Sequence, residues 1–517
     1  MKGVGALEAS VVQHFLQHLV QADRPEARLP ALDTLVDDLR TLGVQPGRTV
    51  MVAMPNGGAF TAVVLALLAH GAVPALLPPS APPSRIERMA RALGADALVA
   101  PRIPAELLGG GAPHSLGGIA LFATLPCAAP RAHRPGEIIL LTSGTSGVFS
   151  GCLHRVDSLL RNAARHAGAI GQNADDTVLI NLPMHYSYAF VAQLLATLVA
   201  GGRAVVSGPP FTPAGYRRTI EEYGVSVSSL TPALVETWRR AGRPLPAPLR
   251  RLTVGGDAFG ASSVADLLAH NPGLELYLTY GLTEAGPRVS TLAAHLEPPR
   301  RHTSVGLPLP GVEVRLRTEN PGDRVGELIV DTDTAMLRRV GRRETSTRPD
   351  DDGDGPATSD TGTATGAPGP VRTGIGAPGP VRTDMGSPGP VPTATGASGP
   401  VRTAIATGDL FERDDDGYLF FRGRRPSYVI SRGEKVSLRS VCEIAETLPG
   451  VHGAQAWTHE NDAGDVVFTL DVYCADDSVD DREIRRRLAK VLLRSEQPAR
   501  VLVHPAAHLG WRKSVAK

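Results

Sequence analysis

From about residue 47 the chain alternates short apolar runs with amphipathic stretches, and that alternation predicts strands joined by helices. "TVMVAM" reads as a strand and 58–70 as a helix ended by Gly71. "AVPALL" is a strand, "SRIERMARALG" a helix with a serine cap, and "ADALVA" a strand. The rhythm resumes with "DTVLINLP", a helix over 189–200, "RAVVSG" and "VSVSSLT". A helix near 233–241, "RRLTVGG", a helix near 261–270 and "LELYLTYG" continue it. Strands alternating with helices imply parallel sheets covered on both faces, so the fold class expected is α/β with a large N-terminal body.

Two regions break the rhythm. Over 345–406 the units "APGPVRTGIG", "APGPVRTDMG", "SPGPVPTATG" and "ASGPVRTAIA" begin at 367, 377, 387 and 397, a repeat of period ten. Glycine at every third position is missing, which excludes a collagen helix. A solenoid unit must bury an apolar face, and these units carry almost none. The tract reads as an extended insertion in a surface loop, with a Pro-rich protein ligand as the sharper alternative. After it, "DDDG" marks a hairpin, and from about 427 short helices and strands mix in an α+β pattern. The division expected is 1–425 for a large domain, interrupted by 345–406, and 426–517 for a small one.

Composition narrows the function classes. The 517 residues are 42% hydrophobic, enough for more than one core. Basic and acidic side chains number 53 and 52, a net charge of +1, which offers no field to nucleic acid or to an anionic membrane. Only five of the basic residues are lysines, so a retained lysine carries more information than usual. The bias suggests a GC-rich bacterial genome. Four scattered cysteines show no metal-ligand spacing and suit a reduced cytosol. The N-terminus lacks the apolar core of a signal peptide, and the longest apolar stretch, "AFTAVVLALLA", falls short of the roughly 20 residues a membrane span needs. A cytoplasmic protein is expected, with neither nucleic acid nor membrane as partner.

Four short stretches can carry chemistry. "TSGTSG", 142–147, offers backbone N–H groups and hydroxyls to phosphate oxygens, although a Ser/Gly/Thr turn between two strands reads the same. "YLTYGLTEAGPR", 277–288, closes a parallel strand, and strand C-termini are where open α/β sheets place ligands. There Tyr280 offers a ring, Thr283 a hydroxyl, and Glu284 a carboxylate suited to Mg²⁺ among phosphates; a capped helix start is the plainer alternative. Asp409 in "TGDL" can accept hydrogen bonds from a ribose diol, and Arg424 in "RGR" can reach ribose or phosphate. Alone, each is only a turn or a solvated side chain.

Taken in order, these stretches resemble the adenylate-forming superfamily of acyl-CoA synthetases, adenylation domains and luciferases. "LRTLGVQPGRTVMVAMPNG", "LPMHYSYAF", "LRRLTVGGDAFG", "YGLTEAG", "TSVGLPLPGVEVRL", "GELIV", "TGDL" and "RGRR…GEKV" follow the family's order over nearly the whole chain outside the insertion. The resemblance implies an ATP-dependent ligase. It activates a small carboxylic acid, aryl or aliphatic, as acyl-AMP with release of pyrophosphate, then passes the acyl group to a thiol of CoA or of a carrier protein's phosphopantetheine. An amine or other acceptor, or a nucleotide-binding relative without catalysis, are the alternatives. By resemblance Thr142, Ser143, Gly144, Thr145, Ser146 and Gly147 hold the β- and γ-phosphates. Thr283 contacts the α-phosphate, and Glu284 with Thr145 binds Mg²⁺. Tyr280 and Gly281 meet the adenine beside Gly255, Gly256 and Asp257, and Asp409 and Arg424 hold the ribose. His185 and Tyr186 line the acid pocket, and Lys517 aligns with the lysine that bridges carboxylate and α-phosphate. The small domain is then a mobile lid.

Three departures stand out. Ser150 replaces the loop lysine and Phe149 the neighbouring proline. Pro426 falls at the hinge, where a fixed φ near −65° forces any pivot onto ψ or onto neighbours.

Overall fold

The computed structural model describes residues 4–5, 7–109, 111–126, 130–141, 151–318, 322–341, 402–424, 428–431, 434–460, 466–474, 480–492 and 496–505. Two eight-stranded sheets form the body. The first runs, edge to edge, Arg338–Val340, Gly151–Arg155, Glu137–Leu141, Val73–Leu76, Thr49–Val52, Ala97–Ala100, Ala120–Thr124 and His114–Leu116. The second runs Val20–Gln21, Arg203–Val206, Thr177–Ile180, Val227–Leu230, Arg251–Gly255, Glu275–Gly281, Arg288–Ala293 and Leu307–Pro308. Its first six strands are parallel; Arg288–Ala293 turns back antiparallel to them, and Leu307–Pro308 pairs antiparallel with Arg288–Ala293. The α/β class expected from the alternation is the one observed.

The main core lies between the sheets. Val50, Leu76, Ile138 and Leu140 of the first sheet and Ile180, Ala204 and Val206 of the second belong to one buried cluster. Three helices fill the space between them: Gly58–His70, Val156–Ala169, and the segment from Tyr188 to Ala200. Helix Gly58–His70 is apolar on nearly every face and buried on nearly every face. The long apolar run therefore reports a central helix rather than a membrane span. Among the described residues no helix is long and apolar enough to cross a membrane. The helix expected over 189–200 begins at Tyr188, and its first part, Tyr188–Leu195, is a π-helix. The wider turn is a feature that propensity does not announce and that recurs at functional sites.

A four-stranded antiparallel sheet follows, Val312–Arg317, Val325–Thr332, Thr403–Arg413 and Leu419–Arg424. The strand Thr403–Arg413 starts inside the tract delimited from sequence, so Thr403–Ala406 are strand and not repeat. The apolar positions Ile405 and Phe411 explain this, since both are buried against Leu328, Val330 and Leu419. Residues 345–401 of the tract lie outside the described residues, as do Phe149, Ser150, Pro426 and Lys517. Further along, Val451–Glu460, Val466–Cys474 and Arg500–Pro505 make a three-stranded sheet packed with helices Leu438–Ala445 and Asp481–Leu488 around Phe468, Leu470 and Ile484.

Candidate active site at the carboxyl end of the parallel sheet

The strand Glu275–Gly281 ends in a tight reversal. Gly281 stands opposite Arg288 of the returning strand, beside a register shift. A Cβ on Gly281 would come within 2.0 Å of the Pro287 carbonyl oxygen, so only glycine permits this approach. Gly286, at φ +101°, closes a single 3₁₀ turn over Thr283–Ala285. The capped helix start offered as the plainer alternative is therefore a single 3₁₀ turn in a tight corner.

Thr283 is fixed from two sides. Its Oγ1 lies 2.8 Å from Ser187 Oγ, and its carbonyl accepts a hydrogen bond from His154 Nε2 at 2.9 Å. His154 is fully buried, and that burial lowers its pKa to about 4, so the ring is neutral at pH 7. Glu284 pairs with Arg339, Oε1 to Nη2 at 2.6 Å, while its carbonyl accepts from the Met336 amide at 2.8 Å. His154 and Arg339 come from adjacent strands, Gly151–Arg155 and Arg338–Val340, with Arg339 opposite Cys152. Leu141 pairs with Gly151, so the stretch 142–150 connects two antiparallel strands. Its own residues Thr142, Ser143, Gly144, Thr145, Ser146 and Gly147 lie outside the described residues. The strand that leaves this loop carries the histidine that holds Thr283.

The nucleoside candidates divide into two groups. Asp409 is buried, accepts the Tyr280 hydroxyl at 2.7 Å, and stands opposite Arg424 in the backbone register. The Tyr280 ring packs edge-on against Phe411 at 4.8 Å, which fixes its plane. Gly255 ends the strand Arg251–Gly255, and a Cβ there would meet Thr279 Oγ1 at 2.4 Å; Gly256 has φ +95°. Asp257 is exposed and accepts from the Ala258 amide at 2.8 Å. Among the described residues no three His, Cys, Asp or Glu gather to hold a metal ion. A magnesium ion here would rely on Glu284 and on phosphate oxygens, the usual arrangement for that cation.

The acid-pocket candidates sit at the start of the π-helical segment. The rings of His185 and Tyr186 are 4.3 Å apart, and burial lowers the His185 pKa to about 4. Tyr186 is 40% exposed, whereas the neighbouring Tyr188 turns inward. Tyr188 places its hydroxyl 3.2 Å from Thr253 Oγ1 and its ring 4.1 Å beneath the guanidinium carbon of Arg288. Sequence reasoning missed Ser187, Tyr188, His154, Arg288 and Arg339. Ser187 and Tyr188 lie within the quoted "LPMHYSYAF", so attention to that motif's last residues would have found them. The two arginines are lost among many.

Comparison with known proteins agrees with this geometry. The family profile described as "AMP-binding enzyme" matches residues 37–338, more than half of the chain. The chain is 29% identical over 283 residues to 4-coumarate–CoA ligase 5 of Oryza sativa, covering 50% of this chain and 52% of that protein. It is 28% identical over 333 residues to the salicyl-AMP ligase / salicyl-S-ArCP synthetase of Mycobacterium tuberculosis, covering 56% and 57%. The chain thus spans little more than half the length of these curated relatives. The apo structure of Mycobacterium smegmatis MbtA superposes with a TM-score of 0.66 at 21% identity, covering 96% of this chain and 91% of that one, a likeness of fold. With the Thr283–Glu284 corner, the buried Asp409 and the profile match in one body, the chain belongs to the AMP-binding enzyme family.

Proposed function

We propose that the protein is an ATP- and Mg²⁺-dependent ligase that activates a small carboxylic acid as acyl-AMP and passes the acyl group to a thiol of CoA or of a carrier protein's phosphopantetheine. The observation that carries this reading is the Thr283–Glu284 corner, held by His154 and Ser187 at the end of a parallel strand. One acid oxygen attacks the α-phosphorus of ATP; the bond to the bridging oxygen breaks and pyrophosphate leaves. Positioning and neutralisation of phosphate charge supply most of the rate in such chemistry.

In this reading the Thr283 hydroxyl serves the α-phosphate, Glu284 the metal that accompanies ATP, and Asp409 with Arg424 the ribose. Tyr280, Gly255, Gly256 and Asp257 line the base, and Thr142–Gly147 wrap the terminal phosphates. Residues 426–517 form the lid, with Lys517 supplying the cation between carboxylate and α-phosphate. The names of the relatives, a CoA ligase and a salicyl-AMP ligase / salicyl-S-ArCP synthetase, support both the adenylate and the thiol acceptor. A cytoplasmic enzyme of bacterial secondary metabolism fits the composition and the relatives.

Acid-dependent exchange of labelled pyrophosphate into ATP, run across aryl, fatty and amino acids, tests the reading. Exchange with at least one acid and its loss in Lys517→Ala are expected. ATP binding without exchange for any acid would sink it.

A further inference from the structure

Among the described residues, Arg288 is the buried charge in this site that no acid answers. It is 3% exposed, and no carboxylate pairs with it among the described residues. Its guanidinium donates one hydrogen bond, Nη1 to Thr279 Oγ1 at 2.8 Å, and its Nε is buried with no partner. Thr279 Oγ1 directs its own hydrogen towards the Val254 carbonyl at 3.3 Å, so it serves Arg288 only as a neutral acceptor. The Tyr188 ring compensates part of the charge from one face. His166, fully buried beside it, has both ring nitrogens unpartnered and is kept neutral by that burial.

The position of this cation is built. The Asn162 side chain holds the Arg288 backbone in both directions, accepting from its amide at 2.8 Å and donating to its carbonyl at 2.9 Å. The surroundings are polar and uncharged: Tyr188, Thr253 and Ser229 form a chain of hydroxyls at 3.2 and 2.8 Å. Tyr188 directly follows Ser187, which touches Thr283, so this polar patch adjoins the corner assigned to the reacting groups. An unpaired buried guanidinium costs several kcal/mol unless something neutralises it. Its planar fork matches a carboxylate bidentately.

We propose that Arg288 is the specificity determinant of the acid pocket and that the acid substrate carries a second carboxylate, which pairs with this guanidinium while the first is adenylated. The inference rests on the adenylating reading above. It adds a substrate class, dicarboxylic acids or their half-acid equivalents, which neither the fold nor the family profile assigns. The Thr253 and Ser229 hydroxyls and the Tyr188 ring then position the body of the acid.

The test uses matched probes, benzoate against benzene-1,3- and benzene-1,4-dicarboxylate, and butyrate against glutarate. Each pair is measured with the full chain by calorimetric binding and by pyrophosphate exchange. Wild type should favour at least one diacid over its monoacid on the order of 100-fold, because a site built around a charge rejects the analogue that lacks it. Arg288→Met should bring that ratio to about one, and Arg288→Lys should fall between, since lysine keeps the charge but loses the fork. Wild-type preference for the monoacids overturns the proposal. An unchanged ratio in Arg288→Met, or equal loss of both acids, overturns it too, the latter because Arg288 would then hold the reacting carboxylate. Diacid binding by calorimetry without any exchange would retain the Arg288 site while refuting the adenylating reading.

Discussion

Two arginines on one sheet live in opposite circumstances. Arg251 opens its strand; Glu275 opens the adjacent parallel strand, and Asp176 immediately precedes Thr177–Ile180, two strands across on the other side, so all three stand at the amino-terminal end of the sheet. Its Nη1 meets Asp176 at 2.8 Å and its Nε meets Glu275 at 2.8 Å. Asp176, fully buried, also takes Arg250 at 3.0 Å and the Ser226 hydroxyl at 2.8 Å. Burial alone would lower the Arg251 pKa, but Glu275 and Asp176 raise it. Arg288, across from the carboxyl end of Glu275–Gly281, has burial without an acid, and its pKa is lowered. The difference separates charge used for building from charge kept for a ligand. Parallel α/β sheets place ligands at the carboxyl ends of their strands, and Arg288 stands at that end here.

The largest effect should come from breaking the answered charge. Asp176→Ala leaves two arginines facing a buried gap and should cost about 3–5 kcal/mol in urea unfolding. Arg288→Met, which removes a charge with no acidic partner among the described residues, should be neutral or stabilising by ~1 kcal/mol in the same measurement. Equal losses from both would erase the distinction between the two ends.

That distinction was only half legible in the sequence. The strand–helix rhythm gave the sheets because burial on both faces leaves continuous apolar runs such as "VMVAM" and "ALVA". "YGLTEAG" and "TGDL" marked the corner and Asp409 only through their order in the series that resembles the adenylate-forming superfamily, since each alone is an ordinary turn. Pairing was hidden, because it depends on which of 48 arginines reaches which acid across strands far apart in the chain. Arg339 lies 55 positions from Glu284, and Asp176 lies 75 from Arg251. Nothing local records such contacts. The hydrogen bond from His154 to the Thr283 carbonyl spans 129 positions and joins the two sheets, so it too needed the fold.

Acid should damage the ligand end next. His154 and His166 are buried and neutral, with pKa values near 4 and 3 against about 6.5 in the unfolded chain. His154 faces the Thr283 carbonyl and His166 faces Arg288. For a depressed histidine the unfolded chain binds the extra proton, so the stabilisation is complete above pH 6.5 and is lost as pH falls towards 4. Each contributes at most ~1.4 kcal/mol per pH unit in that window. Urea midpoints between pH 7.5 and 5 measure this. His166→Leu should flatten the dependence, and Asp176→Ala should not.

Between the two extremes stands Glu284, whose partner is close but replaceable. Arg339 is 22% exposed on its side chain, and its Nη1 has no hydrogen-bond partner. In the proposed reading Glu284 holds Mg²⁺, and a guanidinium on that carboxylate then competes with the divalent cation for the same oxygens. Arg339→Met should therefore lower the Mg²⁺ concentration for half-maximal pyrophosphate exchange by roughly 10-fold if the pair contributes ~1.4 kcal/mol. A rise instead would mean that Arg339 serves the phosphates directly, standing in for the cation absent at Ser150.

The smallest change sharpens the comparison most. Tyr280→Phe removes one hydroxyl and keeps the ring against Phe411, so packing is preserved. Asp409 loses one donor while remaining buried, which should cost about 1 kcal/mol of stability. If Asp409 belongs with the charges kept for a ligand, the ribose hydroxyls can replace the lost donor. Saturating ATP should then restore most of the Tm deficit, with a change in the KM for ATP of less than about 5-fold. If Asp409 is a building charge like Asp176, ATP should recover none of the loss. Thermal melts of both proteins with and without ATP decide which end of the sheet Asp409 resembles.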